Sequence, residues 1–216
     1  MKTTKILISA LFVLFFSLSS CESAQILDTE IVNEDLDVND DQMQILVFTT
    51  DSNDISSSEI EGLLLMREEE KMAGDIYSLL YEKFNLRVFA NITKSENQHT
   101  NAVLTLITHF NLNDPALESE GEFNDEIIQK IYDDLIAQST TIDEALKTGA
   151  FIEEYDIADL NKLIAETQNA DIITVYQNLL RGSKNHIKAF TRILESRGII
   201  YSPTILSTEE YNNIIQ

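Results

Sequence analysis

The stretch Lys94-Ser95-Glu96-Asn97-Gln98-His99 decides how this chain is read. Glu96 and His99 stand one helical turn apart, so on a helix both side chains project from the same face and can meet a single cation. Three further stretches with helical periodicity each carry a polar or ionisable residue where the apolar pattern predicts core: Glu70, Glu153 and His186. A buried charge is costly unless it is paired or binds a metal, so four such interruptions at one level of a bundle point to a site.

Working outward, the first long helix is expected over about 58–84, with Ser58 and Glu61 as a capping box and Leu63, Met66, Glu70, Ala73, Tyr77, Leu80 and Phe84 as its apolar stripe. Glu68 and Glu69 flank that stripe and read as solvent-facing charges. The second helix, about 88–110, follows a short turn and carries Ile92, Glu96, His99, Val103, Leu106 and Phe110 on one face; His109 falls off it, as a surface or capping residue. A long connection through Asn111-Leu112-Asn113-Asp114-Pro115 holds a short helix over 125–137 capped by Asn124. It is long enough to cross a bundle, so the second and third long helices can run parallel. The third, about 141–167, buries Leu146, Ala150, Glu153, Ile157, Leu160 and Ile164, and the fourth, about 171–197, buries Val175, Tyr176, Leu179, Ser183, His186, Ile187, Phe190, Ile193 and Leu194 before Gly198 ends it. The tail, including a turn at 207–215, is expected across one end.

Two hairpins joined by a long crossover make an all-α four-helix bundle. In an antiparallel hairpin, residues equidistant from the turn face each other. Glu153 and His186 centre between 169 and 170, and Glu70 and His99 between 84 and 85, at or beside the expected turns. One mid-bundle site fed by all four helices follows.

These residues carry a resemblance. Glu70 with Ala73 and Tyr77 resembles the first-helix signature of rubrerythrins and bacterioferritins, and Glu96-x-x-His99 resembles their second-helix motif. The stretches Met66–Ala73, Ile152–Ile157 and Leu179–His186 are closer still to a bacterial and archaeal ferritin-like family catalogued as a domain of unknown function (number 2202), over roughly 59–216. The resemblance implies a ferritin-like fold in which Glu70 binds iron and Tyr77 lies near the site as a catalytic residue. It also sets a departure: Ser183 stands where the fourth helix should offer a glutamate. The ligand set reduces to Glu70, Glu96, His99, Glu153 and His186, with Asp156, one turn beyond Glu153, as a compensating carboxylate and Glu154 as the next candidate. Carboxylates with imidazoles suit iron, manganese or zinc, one or two ions. The activities that fit are Fe(II) oxidation or peroxide reduction. The alternative is a non-catalytic surface binding or assembly module with a metal-free polar core. No Cys-x-x-Cys pair exists, which excludes a complete rubrerythrin, and an anchored chain with a long arm suits a ferritin cage poorly.

The first twenty residues have the layout of a secretory signal, Lys2 and Lys5 before the apolar run Ile6–Leu18. Leu18-Ser19-Ser20-Cys21 resembles a bacterial lipobox, implying lipidation of Cys21, the sole cysteine, and a place in the bacterial cell envelope, outside the cytoplasm. Residues 21–56 then read as an acidic tether, since 22–66 contain no Lys or Arg. Within it, Met43-Gln44-Ile45-Leu46-Val47-Phe48 is either a docking strand or more linker. Residues 57–216 form the folded domain. With 37 acidic against 15 basic residues and a formal charge of −22, nucleic-acid binding is disfavoured. The partners this leaves are metal ions and a membrane reached through the lipid, with a homodimer as one open assembly.

Overall fold

The structure, a computed structural model, describes residues 48–216. The signal segment, Cys21 and residues 43–47 of the apolar patch lie outside the described residues. Within them the regular structure is helical: α1 (Ser57–Phe84), α2 (Arg87–His109), α3 (Glu126–Gln138), α4 (Ile142–Glu166), α5 (Ala170–Ser196) and α6 (Thr208–Ile215).

Local chemistry sets the ends. The cap of α1 is Ser56 rather than Ser58: Ser56 accepts the Glu59 N–H, and Glu59 Oε2 accepts the Ser56 N–H at 2.8 Å. Glu59 Oε1 also accepts from Thr167 Oγ1 at the end of α4, a tertiary contact the Ser58–Glu61 frame would forfeit. Asp125, not Asn124, caps α3 by accepting the N–H groups of Ile127 and Ile128 at 2.7 and 3.2 Å. Asn85 ends α1 in the left-handed region (φ 53°), where asparagine is tolerated, and Gly198 (φ 75°) follows α5.

The α1–α2 and α4–α5 hairpins pack side by side, α1 against α4 and α2 against α5. The start of α1 meets the end of α4 at Glu59–Thr167, and near its other end Lys83 Nζ donates to Ser139 O, just ahead of α4, at 2.8 Å. Thus α1 is antiparallel to both α2 and α4, and α2 and α4 run the same way. The crossover containing α3 is held by α1. Arg67 pairs with Asp114, Lys71 Nζ donates to Ser119 O, and Glu68 accepts the backbone N–H groups of Asn124 and Asp125 at 2.7 and 2.9 Å. Glu68 is therefore buried rather than solvent-facing, because α1 is covered on a third side by the crossover.

Two apolar clusters fill the bundle. One gathers Ile76, Tyr77, Phe89, Leu146, Phe190 and Leu194; the other Leu63, Met66, Leu106, Leu160, Val175 and Leu179. Each such fully buried side chain contributes about 1.5–3 kcal/mol. The polar residues of the helices lie between the two clusters.

Both ends of the described segment are tied down. Phe48 stacks on His109 at 3.8 Å, the His109 Nε2 lies 3.1 Å from Thr50 O, and Asp171 in the first turn of α5 accepts from the backbone and hydroxyl groups of Thr49 and Thr50. His109 is a half-buried clamp rather than a plain surface residue. At the other end, Glu154 accepts the backbone N–H groups of Thr204, Ile205 and Leu206 and the Tyr201 hydroxyl. The tail thus lies along α4 and α5 instead of across one end, because a buried carboxylate in the middle of α4 supplies acceptors for its backbone. Glu154→Gln should cost about 2–4 kcal/mol in chemical denaturation and expose residues 200–216 to limited proteolysis with helix content otherwise kept; an unchanged midpoint would refute this role.

Candidate metal centre

Each of four helices delivers its share of one buried layer. Glu70 comes from α1, Glu96 and His99 from α2, Glu153 and Asp156 from α4, and Ser183 and His186 from α5, all buried. His99 Nδ1 lies 2.8 Å from Glu96 Oε2 and 3.2 Å from Glu70 Oε2; His186 Nδ1 lies 2.8 Å from Glu96 Oε1 and 3.3 Å from Glu153 Oε2. Two triads result, Glu70–Glu96–His99 and Glu96–Glu153–His186, and Glu96 gives one oxygen to each.

The separations suit a cation. Ligand atoms about 2.1 Å from one ion at right angles stand about 3.0 Å apart. His186 Nδ1 and Glu96 Oε1 lie within ion-pair distance, yet neither makes a hydrogen bond of acceptable geometry. Glu70 Oε1 and Glu153 Oε2 are likewise without hydrogen-bond partners. A metal-free polar core would need these atoms satisfied.

Supporting contacts orient the ligands. The Tyr77 hydroxyl donates to Glu153 Oε1 at 2.5 Å, leaving Oε2 toward His186. His186 Nε2 lies 3.0 Å from Ser95 Oγ, so an N–H there leaves Nδ1 as the free lone pair. The two rings lie 5.6 Å apart at 29°. Ser183 donates to Leu179 O and sends no oxygen into the layer, while Gly182 beside it lets the His99 ring approach the α5 backbone.

Electrostatics reports the excess negative charge. Burial lifts Glu70 to about 8, with His99 opposing and Glu96 reinforcing the shift. Burial likewise raises Glu153, and raises Asp156 well above the carboxylate range with Glu70 and Glu153 adding to it. Burial works against charge on Glu96 too, but His186 and His99 outweigh it and hold that carboxylate low. Burial opposes the imidazolium of His186, yet Glu153 and Glu96 push it up to about 10. Burial raises the Tyr77 hydroxyl well above its usual value, and Glu153 adds to it. The buried bases among the described residues are Arg67, His99 and His186, and Arg67 is turned to Asp114 and the Thr100 carbonyl. No Lys or Arg therefore balances the layer.

Asp156 is buried beside the layer but outside both triads, with neither oxygen hydrogen-bonded. Glu154 is committed to the tail and is no ligand candidate. Glu69, expected in solvent, is fully buried with both oxygens unpartnered. The same third neighbour that buries Glu68 accounts for it, and the length of the connection after α2 was the one signal that something must lie there. Gly182 and Ser95 carried no motif.

The described residues form a helical bundle with a buried carboxylate–histidine layer. The chain belongs to the family described as Uncharacterized protein domain (DUF2202), which it matches over residues 59–216. It is 46% identical over 163 residues to the uncharacterized protein MJ0754 of Methanocaldococcus jannaschii, covering 74% of this chain and 88% of that relative. It is similar to the crystal structure of the hypothetical protein MJ0754, with a TM-score of 0.73, 74% of this chain and 93% of that one.

The packing of two glycines can be tested against each other. A Cβ at Gly182 would overlap the His99 ring, whereas one at Gly74 would meet Glu96 Cβ at an ordinary 3.5 Å. Gly182→Ala should lower stability by about 1–3 kcal/mol and shift the His99 imidazole resonances, while Gly74→Ala should leave it unchanged or raise it by up to about 1 kcal/mol. Equal effects in thermal or chemical unfolding would contradict the close approach.

Proposed function

We propose that this chain is a ferritin-like metalloprotein whose layer holds one or two transition-metal ions, iron or else manganese or zinc, and serves oxidation of Fe(II) or reduction of peroxide. The observation that carries this reading is Glu96, with one oxygen in each of two histidine-bearing triads. The up-and-down hairpins with α2 and α4 in the same direction support the ferritin-like assignment.

In this reading Glu96, Glu70 and Glu153 with the Nδ1 atoms of His99 and His186 would hold the ions, Glu96 having one oxygen in each triad. Iron held there would supply electrons: reduction of peroxide to two waters takes two, one from each of two Fe(II) ions, together with two protons drawn from solvent. The protein's own share is to exclude water with the two apolar clusters, to fix the His186 tautomer through Ser95, and to hold the Tyr77 proton at Glu153 Oε1, where it can serve a nearby reaction. Asp156 stands close enough to add charge if a second ion needs it. Without metal the same layer would make a plain helical module for surface binding or assembly.

The place of action is part of the proposal. Cys21, outside the described residues, would carry the lipid that anchors the domain to the envelope membrane, with the part of 21–56 ahead of Phe48 as its reach and a homodimer as an open assembly. Among the described residues no helix is long and apolar enough to cross a membrane.

Protein purified without chelator should carry iron or manganese, up to two ions per chain by elemental analysis. Glu70→Ala with His99→Ala should empty one triad, and Glu96→Ala should empty both. Loading at a hundredfold excess over Kd should raise unfolding stability by about 2.7 kcal/mol. Protein that stays metal-free and cannot take up Fe(II) under anaerobic conditions would refute the metal reading.

A further inference from the structure

Buried carboxylates continue beyond the two triads. Asp156, one turn along α4 from Glu153, is buried within electrostatic reach of Glu70, Glu153 and Glu69. Glu69 in turn faces Asp159 and Asp125. The last two are half-buried, so the file runs from the dry layer to solvent between α1, α4 and the start of α3. Tyr155, half-buried, faces the same acids. Glu69 and Asp156 are fully buried, and none of their four oxygens has a hydrogen-bond partner. They cap no helix, pair with no base and belong to neither triad.

We propose that Glu69 and Asp156, with Asp159 and Asp125 at the solvent end, form an oxygen-only station through which divalent transition-metal ions reach the Glu96 centre. The inference rests on the metal reading of that centre. Its chemistry suits transit. Carboxylate oxygens can replace the waters of a hydrated divalent ion a few at a time, and a set without nitrogen donors holds such an ion more weakly than a set that includes imidazole. A weaker outer position followed by a stronger inner one draws ions inward without trapping them. The unpartnered oxygens are then acceptors kept free for the passing ion.

The test is the rate of anaerobic Fe(II) uptake, with a ferrous chelator added at set times to trap iron not yet bound. Glu69→Gln should reach the final occupancy of the unaltered protein but at least tenfold more slowly, and Asp156→Asn should slow the uptake to the same degree. Asp159→Asn with Asp125→Asn, at half-buried positions where the amide keeps the α3 cap, should slow it at least threefold and covers the case in which the buried variants fold poorly. Uptake at the unaltered rate in the variants that fold would overturn the station and leave Glu69 and Asp156 as acids that merely share protons. Lost final occupancy in Glu69→Gln would overturn it too, by making Glu69 a ligand of the centre. If the unaltered protein takes up no Fe(II), the station and the metal reading fall together. Normal uptake in it, with unslowed variants, sinks the station alone.

Discussion

Repulsion among like charges in a dry layer governs this molecule. Glu69, Glu70, Glu96, Glu153 and Asp156 are buried together with two imidazoles, so full ionisation would leave a net charge of about −3 even with both rings protonated. Two carboxylates about 5 Å apart repel by about 3 kcal/mol at an effective dielectric of 20, against a total stability of about 5–15 kcal/mol for a typical domain. Protons or cations must balance the layer. The raised Glu70, Glu153 and Asp156 show what protons alone would have to do, and the buried atoms without hydrogen-bond partners are the ones a cation would satisfy.

The rest of the bundle keeps that layer closed. Apolar clusters on both sides exclude water, so the charges cannot be relieved by solvation. The turns at Asn85 and Asn169 set the helices in register, bringing Glu70 opposite His99 and Glu153 opposite His186. Remote ties then fix the ends: Asp171 holds the incoming chain at Thr49 and Thr50, and Glu154 holds the outgoing one. Charged groups therefore appear in two roles. Where backbone N–H groups meet them they act as staples, and where they gather around two imidazoles with oxygens left unpartnered they mark the candidate site.

Much of this was legible in the chain itself. Stripes with a period near 3.6 gave the long helices, and hairpin midpoints brought Glu70, Glu96, His99, Glu153 and His186 to one level because a short turn leaves little freedom of register. Glu68 and Glu69 were misjudged for a definite reason. A stripe describes one buried face, whereas α1 is covered on three sides, and the third cover is a loop and short helix with no periodic signature. Glu154 was misjudged similarly, since its partners are backbone groups of an irregular tail and backbone groups leave no trace in side-chain patterns. Gly182 shows the same limit: its importance lies in the ring that occupies the place of its missing Cβ.

Diffraction from crystals loaded anaerobically with manganese or iron, recorded across the metal absorption edge, measures the central claim most directly. The account predicts anomalous peaks on either side of the Glu96 carboxylate, each within coordinating distance of one histidine Nδ1. Loaded crystals without a peak in the layer, with Glu96 and both histidines joined only by hydrogen bonds, would contradict it.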